Sequence, residues 1–532
     1  MSSITTGGTK TARPPHPRQP VRTARVAPSQ HAAVPSLADR LVHPGNVALM
    51  VGLWLGSHAL LRLWLGATLG MDDAEQALSA QAWSWGYRTE QPPLFTWMLL
   101  LLEPLFGQGI LPITILRYGF LALFCFAFWH AAKAWLGDNR RAALALSALP
   151  AIYTFGWYAQ VDLTHSTVLA AAMSVLLWLA ARFTRTPAWS DYLLLGLTVG
   201  LGMLGKWNFV MAGAGFAVTA LLLLPELRRA LLHPGTLLAI LLAVVIVLPN
   251  ALWVLDHKSV EAAGAAVLIR EPISRLESVL DLGKAMVAFP QPWLVLALLL
   301  FWPMLRRRVQ AGPFTRPPLR VLGTYVLVTI ALHALLVLPF GGVDFSERWM
   351  IVPFLPLPIL FAALFDPDDL PIGRWLVVAA VLVLVTLGLR LGIQLGGGDR
   401  CSGRCRTLMP FAELSAALSS AGFKSGTIVT DDLHLGGNMR VRFPESRVVD
   451  MTAPPGVFGP PKGDGQCLLV WNSQPERTTP PARLAEGAAA ALGVDLGKPS
   501  SVGTVMALYP GAIHKRLSLG YVLFARPNGE CR

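Results

Sequence analysis

Several carboxylates follow the first long apolar run, in the segment Asp72-Asp73-Ala74-Glu75, and Glu90 comes shortly after them. A carboxylate at a lipid–water boundary has a raised pKa, because the low dielectric disfavours its charged form. Such a group is suited to take a proton from a hydroxyl as a general base. The segment therefore predicts an acid cluster able to do proton chemistry. The alternative is a solvated acidic loop.

Another carboxylate, Asp162, lies in a short polar stretch between two apolar runs. We expect this stretch on the same side of the membrane as the first loop, which places Asp162 at the depth of Asp72. Asp162 could also cap a helix whose first turn contains Thr164 and His165. Asp162 can cap a helix and also belong to the site, so we retain both interpretations.

Three cations are candidates for binding an anion. Lys206 lies between two apolar runs, and a lysine costs about 2.5–3.5 kcal/mol at the centre of a bilayer, so its position needs a reason. It could extend to the membrane surface, or it could bind a phosphate and stabilise charge on a leaving group. Arg348 and Arg117 could serve likewise through bidentate contacts. Arg117 could instead pair with an acid, either Glu103 or Glu90.

Two further polar groups are expected to line the site. Glu347 directly precedes Arg348, and His257 lies in a loop expected near the entrance. A lone histidine without ligands at metal-binding spacing is a weak metal signal. The sequence therefore predicts no metal site. It requires no cofactor and leaves the use of a divalent metal open.

The composition identifies the class of protein in which these residues act. The chain has 532 residues, of which 54% are hydrophobic and only 14% charged. Its mean hydropathy is +0.52. Soluble proteins carry about 25% charged residues, so a soluble enzyme, a disordered protein and a disulfide-scaffold peptide are excluded. The net charge of +13 comes largely from the N-terminal tail and from clusters between apolar runs. That distribution indicates membrane topology rather than nucleic-acid binding.

The pattern predicts a polytopic α-helical bundle of about eleven transmembrane helices. The apolar runs lie near 46–67, 110–136, 142–160, 163–183, 191–206, 207–225, 235–254, 284–305, 319–340, 349–365 and 374–395. Alternate gaps contain the arginine clusters, for example Arg140-Arg141 and Arg228-Arg229. Since cytoplasmic loops are rich in Lys and Arg, the N-terminus is expected in the cytoplasm and the C-terminus outside.

Two shorter regions flank this bundle, which we assign to residues 44–395. Residues 1–43 have no apolar period and are expected to be a disordered cytoplasmic tail. Residues 396–532 are predicted to form a small α/β domain in the periplasm. Within it, 430–432 is interpreted as an acidic strand-to-helix turn, with a βα-loop binding site as the alternative, and 436–438 as a turn rather than a phosphate loop. The four cysteines of this domain favour one or two disulfides, with zinc as the alternative. They are Cys401, Cys405, Cys467 and Cys531.

The first loop, DDAEQALSAQAWSWGYRTEQPPLFTW (72–97), resembles the signature of glycosyltransferase family 39. That family includes protein O-mannosyltransferases and the bacterial aminoarabinose transferases of lipid A. The resemblance spans about residues 46–395, and weaker matches follow in the expected order. They are Leu116-Arg117, Asp162, Gly205-Lys206-Trp207-Asn208 and Glu347-Arg348-Trp349.

The resemblance implies a GT-C fold with an outward-facing active site and a lipid-linked sugar as donor. It implies that Asp72 is the catalytic base and Asp162 the second acid. Lys206, Arg348 and Arg117 then bind the donor phosphate. Asp73, Glu90, His257 and Glu347 are expected to line the cavity. Some relatives have a basic residue just before the Pro-Pro pair, where this chain has Glu90-Gln91. This loop is therefore not expected to contact the donor phosphate, and a different sugar or acceptor would be consistent with the change.

The resulting hypothesis is an inverting glycosyltransferase of the bacterial inner membrane. Its donor would be a sugar on a polyprenyl phosphate, and its acceptor a hydroxyl on a lipid, a glycan or a protein. A transporter or flippase of a lipid-linked sugar is the main alternative. Such a protein would carry charges near mid-membrane and show repeat symmetry, which is not evident here. An oligosaccharide ligase and a scaffold whose C-terminal domain does the work are further alternatives.

Overall fold

The computed structural model describes most of the chain. The described residues are 7–8, 37–223, 225–266, 274–309, 317–340, 344–399, 405–451, 453–454, 456–460, 465–473, 479–492 and 498–525. Most of the predicted N-terminal tail lies outside them, as do Cys401 and Cys531.

The first part of the chain is almost entirely helical. In chain order its helices are α1 (Leu37–Leu41), α2 (Pro44–Trp64), α3 (Met71–Ser79), α4 (Leu94–Phe106), α5 (Ile110–Leu136), α6 (Asn139–Leu146), α7 (Ala159–Val161), α8 (His165–Phe183), α9 (Trp189–Gly205), α10 (Phe209–Leu223), α11 (Pro225–Leu231), α12 (Pro234–Ala266), α13 (Arg275–Ala288), α14 (Trp293–Val309), α15 (Pro317–Phe340), α16 (Ile351–Phe354), α17 (Leu357–Ala363) and α18 (Ile372–Gly396). Short 3-10 turns lie at Leu149–Ala151, Glu347–Met350 and Pro367–Asp369, and a π-helical turn at Thr154–Tyr158.

Within the described residues, six helices are long and apolar enough to cross a membrane: α2, α5, α8, α12, α15 and α18. Other predicted runs form shorter or interrupted helices. The run near 142–160 is divided around Pro150, and the run near 349–365 contains the break between α16 and α17 at Pro356. Proline lacks the N–H that a helix interior needs, which explains these interruptions. The predicted helical membrane bundle is confirmed.

One apolar core holds the bundle together. Its largest buried side chains include Phe124, Phe155, Phe301 and Trp375. Helix α5 packs along α8, and α9 packs along α12. Leucines and valines on the outward faces of α12 and α18 are exposed, as expected for helix surfaces that face lipid.

The C-terminal part is a small α/β domain, as predicted. It adds α19 (Phe411–Ser420), α20 (Leu433–Arg442) and α21 (Ala482–Leu492) to five strands. The strands are β1 (Gly426–Thr430), β2 (Arg447–Asp450), β3 (Gln466–Ser473), β4 (Ser501–Leu508) and β5 (Arg516–Phe524), and their order in the sheet is β2-β1-β3-β5-β4. Strand β1 pairs in parallel with β2 and β3, whereas β5 runs antiparallel to β3 and β4.

Two details of this domain bear on the predictions. Residues 436–438 lie inside α20, so their interpretation as a turn was wrong. Cys405 and Cys467 each take part in a disulfide bond, in agreement with the prediction that this domain contains disulfides. The buried Cys125 of the bundle is a free thiol.

Candidate active site between the bundle and the C-terminal domain

Helix α3 carries Asp72 in its first turn, and its N-terminus is capped from another part of the chain. The carboxylate of Asp162 accepts hydrogen bonds from the backbone N–H groups of Met71 (2.9 Å) and Asp72 (3.0 Å). The residue at the cap itself is Gly70, and a side chain there would collide with Asp162. Burial, together with the nearby charge of Asp72, raises the pKa of Asp162 above its ordinary value. Asp162 therefore fixes the position of Asp72.

The side chain of Asp72 faces a cation. Its carboxylate lies 3.8 Å from the guanidinium of Arg348, and both side chains are partly exposed. The guanidinium of Arg348 also lies over the ring of Tyr158, at 5.4 Å from the ring centre. Cation–π contact and the ion pair hold the guanidinium beside the carboxylate.

Lys206 follows the last residue of α9 and faces the same site. Its ammonium group donates a hydrogen bond to the Ser166 hydroxyl at 2.8 Å. Burial and the like charge of Arg348 lower the pKa of Lys206 to about 8, against the opposing effect of Asp72. The charges of Lys206, Arg348 and Asp72 are therefore close enough to interact. We call these three residues, together with Asp162, the Asp72 site.

Asp73 and Arg117 form a separate, buried contact. The side chain of Asp73 is fully buried and bonds to the guanidinium of Arg117. Arg62 of α2 lies 3.5 Å from the same carboxylate. Arg117 also donates to the carbonyls of Leu163 (2.9 Å) and Val161 (3.2 Å). We call Asp73, Arg62 and Arg117 the buried triad.

This arrangement corrects two expectations. The structure places Asp73 inside the protein rather than on the cavity wall, because the two arginines hold it there. The guanidinium of Arg117 is occupied by Asp73 and two carbonyls, which leaves it poorly placed to bind a phosphate. Arg117 does not pair with Glu103, since Glu103 bonds to Arg440 of the C-terminal domain at 2.8 and 2.6 Å.

The other predicted lining residues are more peripheral. Glu90 is exposed, and Glu347 lies close enough for its charge to act on Lys206 and Arg348. The ring of His257 stacks on Trp253 of its own helix, with ring centres 4.3 Å apart. Among the residues that the structure describes, no group of three or more His, Cys, Asp or Glu side chains is placed to hold a metal ion.

No residue pattern predicted that the C-terminal domain reaches this site. Helix α20 packs against α3, and a side chain at Gly437 would collide with the carbonyl of Ala74. The Oδ1 atom of Asn438 accepts a hydrogen bond from the N–H of Leu69 at 2.9 Å, and Nε2 of His434 lies 2.8 Å from the carbonyl oxygen of Leu69. These contacts fix the backbone two residues before α3 begins.

Other contacts of the C-terminal domain hold the segment that follows α3. Gln81 and Val448 exchange two hydrogen bonds, of 2.7 and 2.8 Å, between the Gln81 side chain and the Val448 backbone. Arg88 forms an ion pair with Asp450 at the end of β2. The domain therefore holds both ends of the acidic segment.

An apolar cavity of about 610 Å³ lies between α8, α9, α10 and α12. Its lining includes Met203 of α9 and Phe209 of α10, which flank Lys206 in the chain, and it extends to Tyr192 near the start of α9 and to Leu227 of α11. The cavity thus runs along the bundle from the neighbourhood of Lys206.

The comparisons with known proteins agree with this fold. A family model described as dolichyl-phosphate-mannose-protein mannosyltransferase matches residues 90–253. The lipopolysaccharide core galacturonosyltransferase RgtA of Rhizobium johnstonii is 29% identical over 500 residues, which cover 91% of this chain and 97% of RgtA. RgtB of the same organism, described in the same words, is 25% identical over 427 residues, which cover 77% of this chain and 84% of RgtB.

Solved structures show the same architecture. ArnT from Cupriavidus metallidurans bound to undecaprenyl phosphate gives a TM-score of 0.57 at 14% identity, covering 90% of this chain and 98% of ArnT. The apo form of ArnT gives a TM-score of 0.52 at 16% identity, covering 90% and 96%. Together these findings show that the chain has the membrane fold of ArnT and is similar in sequence to membrane glycosyltransferases.

Proposed function

We propose that this protein is an inverting glycosyltransferase that moves a sugar from a polyprenyl-phosphate donor to an acceptor hydroxyl at the periplasmic face of the inner membrane. The observation that carries the proposal is the contact between Asp72 and Arg348, at 3.8 Å, with Lys206 close by. A proton acceptor and two cations in one site are the groups that such a transfer needs.

In the proposed reaction, Asp72 takes the proton of the acceptor hydroxyl. The acceptor oxygen then forms a bond to the anomeric carbon, on the face opposite the phosphate, while the bond from that carbon to the phosphate oxygen breaks. The lipid phosphate leaves with both electrons of that bond. Its charge is neutralised by Lys206 and Arg348. Phosphate is a good leaving group, so a single base is sufficient and no general acid is required.

The apolar cavity beside Lys206 supports a lipid-linked donor. Its lining is almost wholly hydrophobic, and it begins at the residues that flank Lys206. With the phosphate at Lys206, an isoprenoid tail could lie along α9 and α10 within the membrane. ArnT, which has the same fold, has been solved with undecaprenyl phosphate bound.

The names of the relatives suggest the first substrates to test. RgtA and RgtB are galacturonosyltransferases of the lipopolysaccharide core. We therefore take galacturonic acid as the first sugar and the lipopolysaccharide core as the first acceptor to test with this chain.

The proposed orientation places the N-terminus in the cytoplasm and the C-terminal domain in the periplasm. The arginine pair Arg140-Arg141 lies at the start of α6, at the opposite end of α5 from the first loop. Since cytoplasmic loops carry the excess of arginine, this end of α5 is assigned to the cytoplasm. The disulfide-bonded Cys405 and Cys467 suit an oxidising compartment.

The test uses purified protein in liposomes with radiolabelled galacturonic acid on polyprenyl phosphate and lipopolysaccharide from a strain that lacks the gene. We expect Asp72→Asn to lower the transfer rate about 100- to 10,000-fold, the range for loss of a general base. The matched control is Asp256→Asn, because the Asp256 side chain is 83% exposed. Transfer by Asp72→Asn at the rate of this control would falsify the role of Asp72. Movement of the donor between leaflets without transfer would support the flippase alternative.

A further inference from the structure

Helix α3 exposes only a few of its side chains to the site. Most of its side chains are buried, from Asp73 and Ala74 to the last turn. The partly exposed positions are Met71, Asp72 and Glu75. Residues three apart lie on the same face of a helix, with Cβ atoms about 5–6 Å apart. Glu75 therefore faces the same space as Asp72.

Glu75 has no bonded partner in the part of the chain that the structure describes, where neither a hydrogen bond nor an ion pair to its carboxylate is found. Its charge nevertheless acts on Asp72 and Lys206, so it belongs to the same electrostatic environment. A second carboxylate one turn from the base repels the base, and burial raises the pKa of Glu75 to about 7. The carboxylate of Glu75 is thus close to another negative charge, lacks a bonded partner among the described residues and is partly exposed to the site. It can therefore form a hydrogen bond with a substrate.

The charges of Lys206, Arg348 and Glu75 indicate which substrate group each of these residues would bind. Lys206 and Arg348 attract the phosphate of the donor. Glu75 instead repels an anion, and it can accept hydrogen bonds from hydroxyl groups. Arg88, whose charge also acts on Glu75, is bound to Asp450 of the C-terminal domain. Glu75 is therefore suited to bind hydroxyl groups rather than a phosphate.

We propose that Glu75 binds a second hydroxyl of the acceptor, adjacent to the hydroxyl that Asp72 deprotonates. The acceptor is then a sugar with two neighbouring hydroxyls rather than the single hydroxyl of a serine or threonine side chain. This inference rests on the proposed function, because it needs Asp72 as the base. A site built to bind a substrate hydroxyl rejects analogues that lack it, since its own polar group would be left unpaired.

The first experiment changes the acceptor and leaves the protein intact. Cell-envelope extract from a strain that lacks the gene is treated with periodate, which cleaves the carbon–carbon bond between neighbouring hydroxyls, and is then reduced with borohydride. Wild-type protein and the radiolabelled polyprenyl-phosphate donor are added. We expect at least a tenfold loss of label incorporation relative to mock-treated extract. Incorporation at the untreated level, or label on serine or threonine of envelope proteins, would overturn the inference.

The second experiment changes Glu75. The nearly isosteric Glu75→Gln removes the charge that strengthens hydrogen bonds from hydroxyls, and such bonds are worth about 1.5–3 kcal/mol. We expect the KM for the acceptor to rise about 10- to 100-fold, with the KM for the donor unchanged. Asp256→Asn serves again as the control. An unchanged acceptor KM in a folded Glu75→Gln protein would contradict the inference.

The two proposals fail in different ways. If Asp72→Asn transfers sugar at the control rate, the proposed function fails. If Asp72→Asn is inactive while Glu75→Gln and periodate-treated acceptor both behave as their controls, the function stands and the role of Glu75 fails.

Discussion

The carboxylate of Asp162 accepts hydrogen bonds from the backbone N–H groups of Met71 and Asp72, at 2.9 and 3.0 Å. One acidic residue of the Asp72 site thus positions the other. Asp162 lies 90 residues away from Asp72 in the chain, and it takes the capping role that Gly70 cannot fill. Its negative charge also complements the positive end of the α3 dipole.

The first prediction concerns Gly70, which has no reactive group. Gly70→Ala should displace the carboxylate of Asp162, because the new Cβ would collide with it. We expect the transfer rate to fall at least tenfold, comparable to the effect of Asp162→Ala, since loss of a helix cap costs about 0.5–2 kcal/mol and also frees Asp72. The control is Gly52→Ala, where the added Cβ meets no atom within 4 Å. Equal rates for the two alanine variants would contradict the positioning role of Asp162.

The second prediction concerns pH. The pKa of Lys206 lies at about 8, below its ordinary value, so the lysine loses its positive charge as the pH rises through about 8. The value of kcat/KM for the donor should fall over this range, because kcat/KM reports the ionisation of the free enzyme. Lys206→Arg should retain its charge and shift this alkaline decline to higher pH. An identical alkaline decline in both proteins would show that another group causes it.

The third prediction separates the buried triad from the Asp72 site. Asp73→Ala leaves Arg62 and Arg117 buried without their carboxylate partner. Breaking a buried ion pair in this way costs about 3–5 kcal/mol of folding stability. We expect a lower yield of folded protein and a lower midpoint of thermal unfolding in detergent. Asp72→Asn should retain normal yield and midpoint. A stable but inactive Asp73→Ala protein would instead indicate a direct part in the chemistry.

The fourth prediction concerns the contact between the domains. Gly437→Leu should separate α20 from α3, because there is no room for a side chain against the Ala74 backbone. We expect loss of transfer and faster limited proteolysis within the segment 68–88. Ala412→Leu, at an exposed position of α19, enlarges a side chain of the same domain without entering this contact. Normal transfer and normal protease resistance in Gly437→Leu would mean that the contact is dispensable.

The sequence was sufficient to predict the membrane bundle, because apolar runs and arginine-rich gaps report span length and composition directly. It also predicted that Asp72, Lys206 and Arg348 lie close together, because all three are expected at the same face of the membrane. It placed Asp73 on the wall of the cavity, whereas the structure buries this residue. Neighbouring residues on a helix point about 100° apart, and only the packing of α2 and α5 shows that Asp73 meets Arg62 and Arg117.

The contacts between the C-terminal domain and the segment before α3 also could not be predicted from the sequence. Its bonds to Leu69 involve the backbone of that residue, and backbone groups leave no signal in residue type. Glu75 was recognised as part of an acidic segment but was not singled out. The structure singles it out because most other side chains of α3 are buried, whereas Glu75 is partly exposed beside Asp72.

Leu69 and Asn438 are 369 positions apart, yet their hydrogen bond anchors the backbone just before α3. The backbone before α3 therefore cannot take this anchored position until Asn438 has been synthesised. A ribosome must synthesise about four fifths of the protein before Asn438 emerges, and the last domain must then fold. A chain that ended before Asn438 would lack this contact, so the proposed base would be positioned only after the C-terminal domain has folded.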